Sequence, residues 1–131
     1  MKRVTGIGGV FFKANDAKAS GEWYARHLGI PIDKEWNGAQ FPWRNRDDPA
    51  KLGHTVLGLF GRDTTYFDPG KASFMVNFRV DDLDAVLAAL AAEGVKIAPK
   101  REDSEFGRFA WIYDPDGNKL ELWEPPEGER G

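Results

Sequence analysis

The chain has no cysteine in 131 residues, which excludes disulfides, thiolate metal ligands and cysteine nucleophiles. It also lacks an apolar run long enough to span a membrane and the apolar N-terminal stretch of a secretory signal. The net charge is -3, and without a basic block this argues against non-specific nucleic-acid binding. These absences predict a cytoplasmic protein with neither a membrane nor a nucleic acid as partner.

Aromatic residues are abundant for this length, with five Trp and nine Phe. Together with 41% hydrophobic and 30% charged residues, they indicate a soluble globular domain. Such side chains build either an aromatic core or an aromatic-lined pocket. We expect most of them in the core and a few around a pocket.

The sequence contains two copies of one unit. Residues Gly9–Asp16 match Met75–Asp82, and each copy is a strand ending in a basic residue followed by helix-capping residues. The first helix is predicted from about Asp16 to Leu28, ending at Gly29. The second starts near Leu83, repeats apolar residues at helical spacing and ends at Gly94.

Each predicted helix leads into a short strand, Ile30–Trp36 or Val95–Ala98, and then a hairpin. The predicted class is α+β: two βαβββ modules forming a curved, cup-like mixed sheet with the helices outside. The single domain divides into modules at about 5–60 and 73–124, a linker at about 61–72 and a flexible tail at 125–131.

The last hairpin presents one carboxylate. Turn residues Asp114–Asn118 precede the alternating strand Lys119–Trp123, so Glu121 points away from the helix-facing leucines. Its neighbour across the hairpin is either Trp111 or Ile112, because the turn leaves the register open. Glu121 is therefore a candidate metal ligand, a general base, or a member of an ion pair with an arginine in the cup.

Strand alternation selects the other side chains that face the cup. They provide aromatic rings, an amide and two basic groups, which suits an apolar or aromatic ligand with an anionic or carbonyl group. The predicted ligand-binding residues are Phe11, Lys13, Trp43, Asn77, Arg79, Trp111 and Trp123.

The paired openings, the segment Val80–Asp84 and the motif Asp114–Leu122 resemble the vicinal oxygen chelate superfamily, which includes glyoxalase I, bleomycin-resistance proteins and extradiol dioxygenases. The resemblance implies the cup-like fold, frequent homodimers, and a divalent metal held by side chains from four strands. Glu121 matches the last ligand position. Gly9 and Met75 stand where relatives commonly have histidine, and His54 is the sole candidate for the remaining position.

Two functions follow from this resemblance, and a purely structural or interaction role, with the cup filled by side chains such as the Trp residues, is the third alternative. The first is a glyoxalase-like protein without a cofactor, which binds or transforms a small carbonyl or aromatic compound in an aromatic pocket, with Glu121 as the catalytic base. The alternative is a metal-dependent lyase or isomerase of glyoxalase type, in which Glu121 and His54 bind the metal.

Overall fold

Nine elements make up the protein in a computed structural model that describes residues 2–127. The predicted tail from 125 to 131 falls partly outside this range. The strands and helices, in chain order, are β1 (Val4–Ala14), α1 (Ala17–Leu28), β2 (Gly38–Arg44), β3 (Leu52–Gly61), β4 (Phe74–Val80), α2 (Leu83–Ala92), β5 (Ile97–Ser104), β6 (Gly107–Tyr113) and β7 (Lys119–Glu124).

The strands form one mixed sheet in the order β2-β3-β1-β4-β7-β6-β5. The two modules meet where β1 pairs antiparallel with β4. Within the modules, β1 pairs parallel with β3 and β4 pairs parallel with β7. The sheet is not closed, since β2 and β5 are its outer strands, and this confirms the predicted α+β class.

Both helices begin at the predicted caps. Asp16 accepts a hydrogen bond from the Ala19 backbone N–H, and Asp82 accepts one from that of Ala85, both at 3.0 Å. These bonds satisfy helix N–H groups that have no partner within the helix. The first helix ends at Gly29, whose φ of 67° lies in the left-handed region.

Helix α2 covers one side of the second module. Its apolar face, with Leu83 and Val86, packs on Val80, Ala110 and Leu122 of the sheet. The side chains that alternate with these along the strands point to the opposite face of the sheet. The cup therefore opens on the face away from the helices.

The predicted strand at Ile30–Trp36 is wrong. Only Asp33 pairs, in an isolated bridge with Gly38. Pro31 has no N–H to donate to a ladder, and the Ile32 N–H is turned back to the Ile30 carbonyl at 2.8 Å. The first module therefore has three strands rather than four.

The strand after α2 is longer than predicted. It runs through Pro99 to Ser104, with a register shift between Ile97 and Arg101. Proline is tolerated there because β5 is an outer strand, where one side has no ladder to support.

The predicted linker is packed into the protein. Phe67 is buried with Met75 and Trp111, and Tyr66 packs against this cluster. The segment between β3 and β4 thus fills one end of the cup.

Candidate functional site

A cavity of about 620 Å³ opens on the cup face of the sheet. Aromatic rings form much of its wall, and both modules contribute to it. Its lining residues are Gly8, Phe11, Trp36, Gln40, His54, Val56, Asn77, Glu105, Phe106, Phe109, Glu121, Trp123 and Pro126.

A bulge in β1 shapes the floor of this cavity. The pairing with β4 shifts between Ile7 and Gly9, so one extra residue, Gly8, stands in β1. A Cβ on Gly8 would overlap Asn77 Oδ1 and lie 2.9 Å from Trp123 Cε3 and 3.1 Å from Arg79 Cγ. Any side chain at position 8 would therefore displace these neighbours.

Glu121 is the buried carboxylate of the cavity floor, with 2% of its surface exposed. Trp111 lies opposite it on β6, which settles the register, and Asn77 lies beside it on β4. The Trp111 indole N–H donates to Oε2 at 2.9 Å, and the Asn77 amide donates to Oε1 at 2.6 Å. The Tyr66 hydroxyl also donates to Oε2.

Burial and hydrogen bonding act in opposite directions on Glu121. Burial raises the pKa of the Glu121 carboxyl because it disfavours the charged form, while the three donors and Lys119 lower it in part. The outcome is a raised pKa. Burial also raises the pKa of the Tyr66 hydroxyl, and the adjacent carboxylate adds to that rise, so Tyr66 stays a donor to Glu121.

Arg79 is buried between two indole rings rather than paired with Glu121. Its guanidinium carbon lies 4.8 Å from the centre of the Trp43 ring and 5.0 Å from that of Trp123. Its Nη1 donates to the His54 carbonyl at 3.3 Å, so the side chain reaches across β1 to β3.

The ammonium groups of Lys13 and Lys119 likewise make contacts outside the cavity. The Lys13 ammonium lies 5.5 Å from the centre of the Phe67 ring. The Lys119 ammonium donates to the Tyr66 carbonyl at 2.7 Å, and burial lowers the pKa of this group. Neither lysine lines the cavity.

The structure divides the predicted ligand-binding residues into two groups. Phe11, Asn77 and Trp123 line the cavity, as do Glu121 and His54. The others lie outside its wall: Trp43 and Arg79 in the cation–π stack, Trp111 behind Glu121, and Lys13 beside Phe67.

Sequence reasoning missed two kinds of site residue. Tyr66 falls in the predicted linker, although two consecutive aromatic residues in a segment of turn-forming residues are a usable signal. Phe106 and Trp36 lie in turns beside the cavity, where strand periodicity carries no information. Both are exposed aromatic residues, which is itself a feature of binding surfaces.

The donor set does not fit the divalent metal that the fold family implies. Asn77 pairs with Glu121 in the second module, and by the internal repeat the matching pair in the first module is Phe11 with Gly58. The position that matches Glu121 is therefore Gly58, four residues from His54.

Within residues 2–127, no three His, Cys, Asp or Glu side chains are grouped so that they could hold a metal ion. Catalytic zinc sites normally use three protein ligands, and the Glu121 oxygens here already accept hydrogen bonds from three donors.

Comparison with known proteins places the chain in a family. The model of the Glyoxalase/Bleomycin resistance protein/Dioxygenase superfamily matches residues 6–122, and the chain belongs to this superfamily.

Two relatives carry the likeness over most of their length. The Bacillus subtilis protein YraH is 30% identical over 122 residues, covering 84% of this chain and 91% of the relative. The Escherichia coli protein YaeR is 32% identical over 117 residues, covering 85% of this chain and 89% of the relative.

Solved structures support the fold. Methylmalonyl-CoA epimerase from Mycobacterium tuberculosis superposes with a TM-score of 0.65 and 23% identity, over 95% of this chain and 91% of that one. A methylmalonyl-CoA epimerase in complex with methylmalonyl-CoA and NH4+ superposes with a TM-score of 0.69 and 18% identity, over 98% of this chain and 99% of that one. At such identities the likeness concerns the fold alone.

No helix within residues 2–127 is long and apolar enough to cross a membrane.

Proposed function

We propose that the protein binds a small aromatic or carbonyl compound in the cavity between its modules without a metal ion. The observation that carries this proposal is the buried Glu121 carboxylate, held by three neutral donors on the floor of an aromatic-lined cavity. Ligand pockets commonly combine an apolar wall with a few fixed polar groups. The predicted cytoplasmic location and homodimer stay predictions.

Glu121 has hydrogen-bonding capacity left for a ligand. An ionised carboxylate offers about four acceptor sites, and Tyr66, Trp111 and Asn77 use three of them. The remaining site is on Oε1, because Oε2 already accepts two hydrogen bonds. A ligand O–H or N–H group that reaches the floor would complete the set.

Proton transfer is the second candidate, favoured by the raised pKa of the Glu121 carboxyl. A general base works best when its pKa lies near the working pH. With a carbonyl compound as substrate, Glu121 would remove a proton from the carbon beside the carbonyl. Its neighbours Tyr66 and Asn77 would hold the carboxylate in place.

The binding proposal is tested by screening aromatic and carbonyl fragments against protein labelled with ¹⁵N. The five indole N–H signals report on different places. Trp123 and Trp36 line the cavity and Trp111 contacts Glu121, whereas Trp23 lies exposed on α1. We expect binders to shift the first three signals and leave Trp23 unchanged. Fragments that shift only Trp23, or no signal at all, would contradict the proposal.

Metal dependence is tested separately. Protein freed of metal is incubated with zinc, nickel, manganese or iron(II), desalted and measured by elemental analysis. We expect less than about 0.1 equivalent of any metal to remain, since the site lacks the usual three ligands. Retention near one equivalent that is lost in Glu121→Ala would support the metal-dependent lyase or isomerase instead.

Binding and proton transfer are separated with Glu121→Gln. Turnover that disappears while a fragment still binds within a few-fold of its original affinity would assign Glu121 as the base. Equal loss of both would leave Glu121 as a binding residue.

A further inference from the structure

Among residues 2–127, the charged side chains on the cavity wall are all acidic. Of the lining residues, Glu121 on the floor and Glu105 in the β5–β6 turn carry carboxylates, and His54 is the sole other titratable group. Lysine and arginine are absent from this wall, as far as residues 2–127 define it.

The nearby cations are held in other contacts. The Arg79 guanidinium lies between Trp43 and Trp123 and donates to the His54 carbonyl. The Lys119 ammonium donates to the Tyr66 carbonyl and lies over the Tyr66 and Trp111 rings. Moving either cation to meet a ligand would break these contacts.

An anionic ligand therefore meets unfavourable electrostatics in this cavity. Its charge would approach the Glu121 carboxylate with no lysine or arginine among the described residues of the wall to compensate, and like charges repel strongly where water is excluded. A ligand ammonium group is instead attracted to this carboxylate, because it can donate a charge-assisted hydrogen bond to Glu121. Aromatic rings on the wall, including Phe109 and Phe106, also attract a cation.

We propose that the cavity selects monocationic aromatic amines, with the ammonium on the Glu121 carboxylate and the ring against the aromatic wall, and that it rejects aromatic carboxylates. This inference rests on the proposed binding function and adds the charge of the ligand to it. Glu105 in the β5–β6 turn contributes less, because an exposed carboxylate is screened by water and salt.

A matched series of probes tests the selection. The probes are 2-naphthylmethylamine, 2-naphthylmethanol and 2-naphthoate, which share one ring system and differ in charge. Dissociation constants are measured at pH 7 from the indole N–H shifts. Charge-assisted hydrogen bonds are roughly twice as strong as neutral ones, so we expect the amine to bind at least about 10-fold more tightly than the alcohol, and the carboxylate most weakly.

Variants connect the preference to one side chain. In Glu121→Gln the ratio of amine to alcohol affinity should fall to within about 2-fold of one, because the charge is removed while the shape is kept. Glu22→Gln removes an exposed carboxylate of α1, away from this cavity, and should keep the original ratio.

The outcomes separate the two proposals. If none of the three probes binds, the binding function fails and the inference fails with it. If the alcohol or the carboxylate binds as tightly as the amine, the binding function stands and the charge selection is overturned. The probe series in the unaltered protein decides this even if Glu121→Gln does not fold. A ratio that persists in folded Glu121→Gln would also overturn it.

Discussion

Replacing Gly8 with alanine tests the bulge that shapes the cavity floor. The added methyl would overlap Asn77 Oδ1 and press on Trp123 and Arg79. All three neighbours are buried, with 2%, 8% and 1% of their surfaces exposed, so they have little room to move. Asn77 is also tied to Glu121 at 2.6 Å, and displacing it would weaken that hydrogen bond.

The size of the effect follows from these contacts. Inserting a methyl into a well-packed interior usually costs about 1–3 kcal/mol. Three neighbours must shift at once and one loses a hydrogen bond to a buried carboxylate, so we expect about 3 kcal/mol of lost unfolding free energy. For a domain of this size that corresponds to a fall in Tm on the order of 10 °C.

The assay is urea unfolding followed by Trp fluorescence, with Gly6→Ala as the matched control. Gly6 lies two residues earlier in the same strand, and a Cβ there meets nothing within 4 Å. Alanine at this control position should change stability by less than about 1 kcal/mol, and a small gain is expected because alanine restricts the unfolded chain. Equal urea midpoints for the two variants would refute the role given to the bulge.

Two further changes test the contacts of Glu121 through the pH dependence of unfolding. Burial raises the folded-state pKa of the Glu121 carboxyl above its ordinary value of 4.5. The protonated Glu121 side chain therefore makes its full contribution to the free energy of unfolding below pH 4.5, and this contribution is lost as the pH rises through the raised pKa. The glutamine of Glu121→Gln does not titrate, so this variant should gain stability relative to the unaltered protein as the pH rises across this window, by about 1.4 kcal/mol for each unit of pKa elevation. A difference in unfolding free energy between the two proteins that is independent of pH between 4 and 8 would contradict this. Tyr66→Phe removes a donor that lowers this pKa, so it should move the window to higher pH and cost about 1.5–3 kcal/mol at neutral pH. Unfolding midpoints that match the unaltered protein at every pH would count against the Tyr66 contact.

Glutamine is an acceptable substitute at position 121 because of its neighbour Asn77. The Asn77 Oδ1 is buried without a hydrogen-bond partner. If the Asn77 side-chain amide rotates, this oxygen is able to accept from the new glutamine N–H. The remaining glutamine oxygen then still accepts from Trp111 and Tyr66, so the variant is expected to fold.

Sequence reasoning reached the parts of the site that strand periodicity controls. Leu122 belongs to the helix-facing core, so Glu121 and Trp123 on either side of it had to face the cup. The two helix caps followed from aspartate before each helix. These features depend on residues that are close together in the chain, so local sequence patterns predict them.

The remaining features depend on contacts distant in sequence. Tyr66 reaches Glu121 across 55 positions from a segment without periodicity, so no local pattern could pair them. The bulge at Gly8 interrupts the alternation that a regular strand would follow. Arg79 satisfies the strand pattern, but its burial between two Trp rings depends on how β2 and β7 come together.

The outer strands of the sheet have a consequence for self-association. Pro42 lies in β2 and Pro99 in β5, and the exposed residues Lys100–Asp103 add charges along β5. Proline and charge at an outer strand hinder pairing with a strand from another molecule. The sheet is thus protected from continuing into a neighbouring chain and from edge-to-edge aggregation. The predicted homodimer would then have to form through helix or sheet faces, where side chains rather than backbone hydrogen bonds determine the fit.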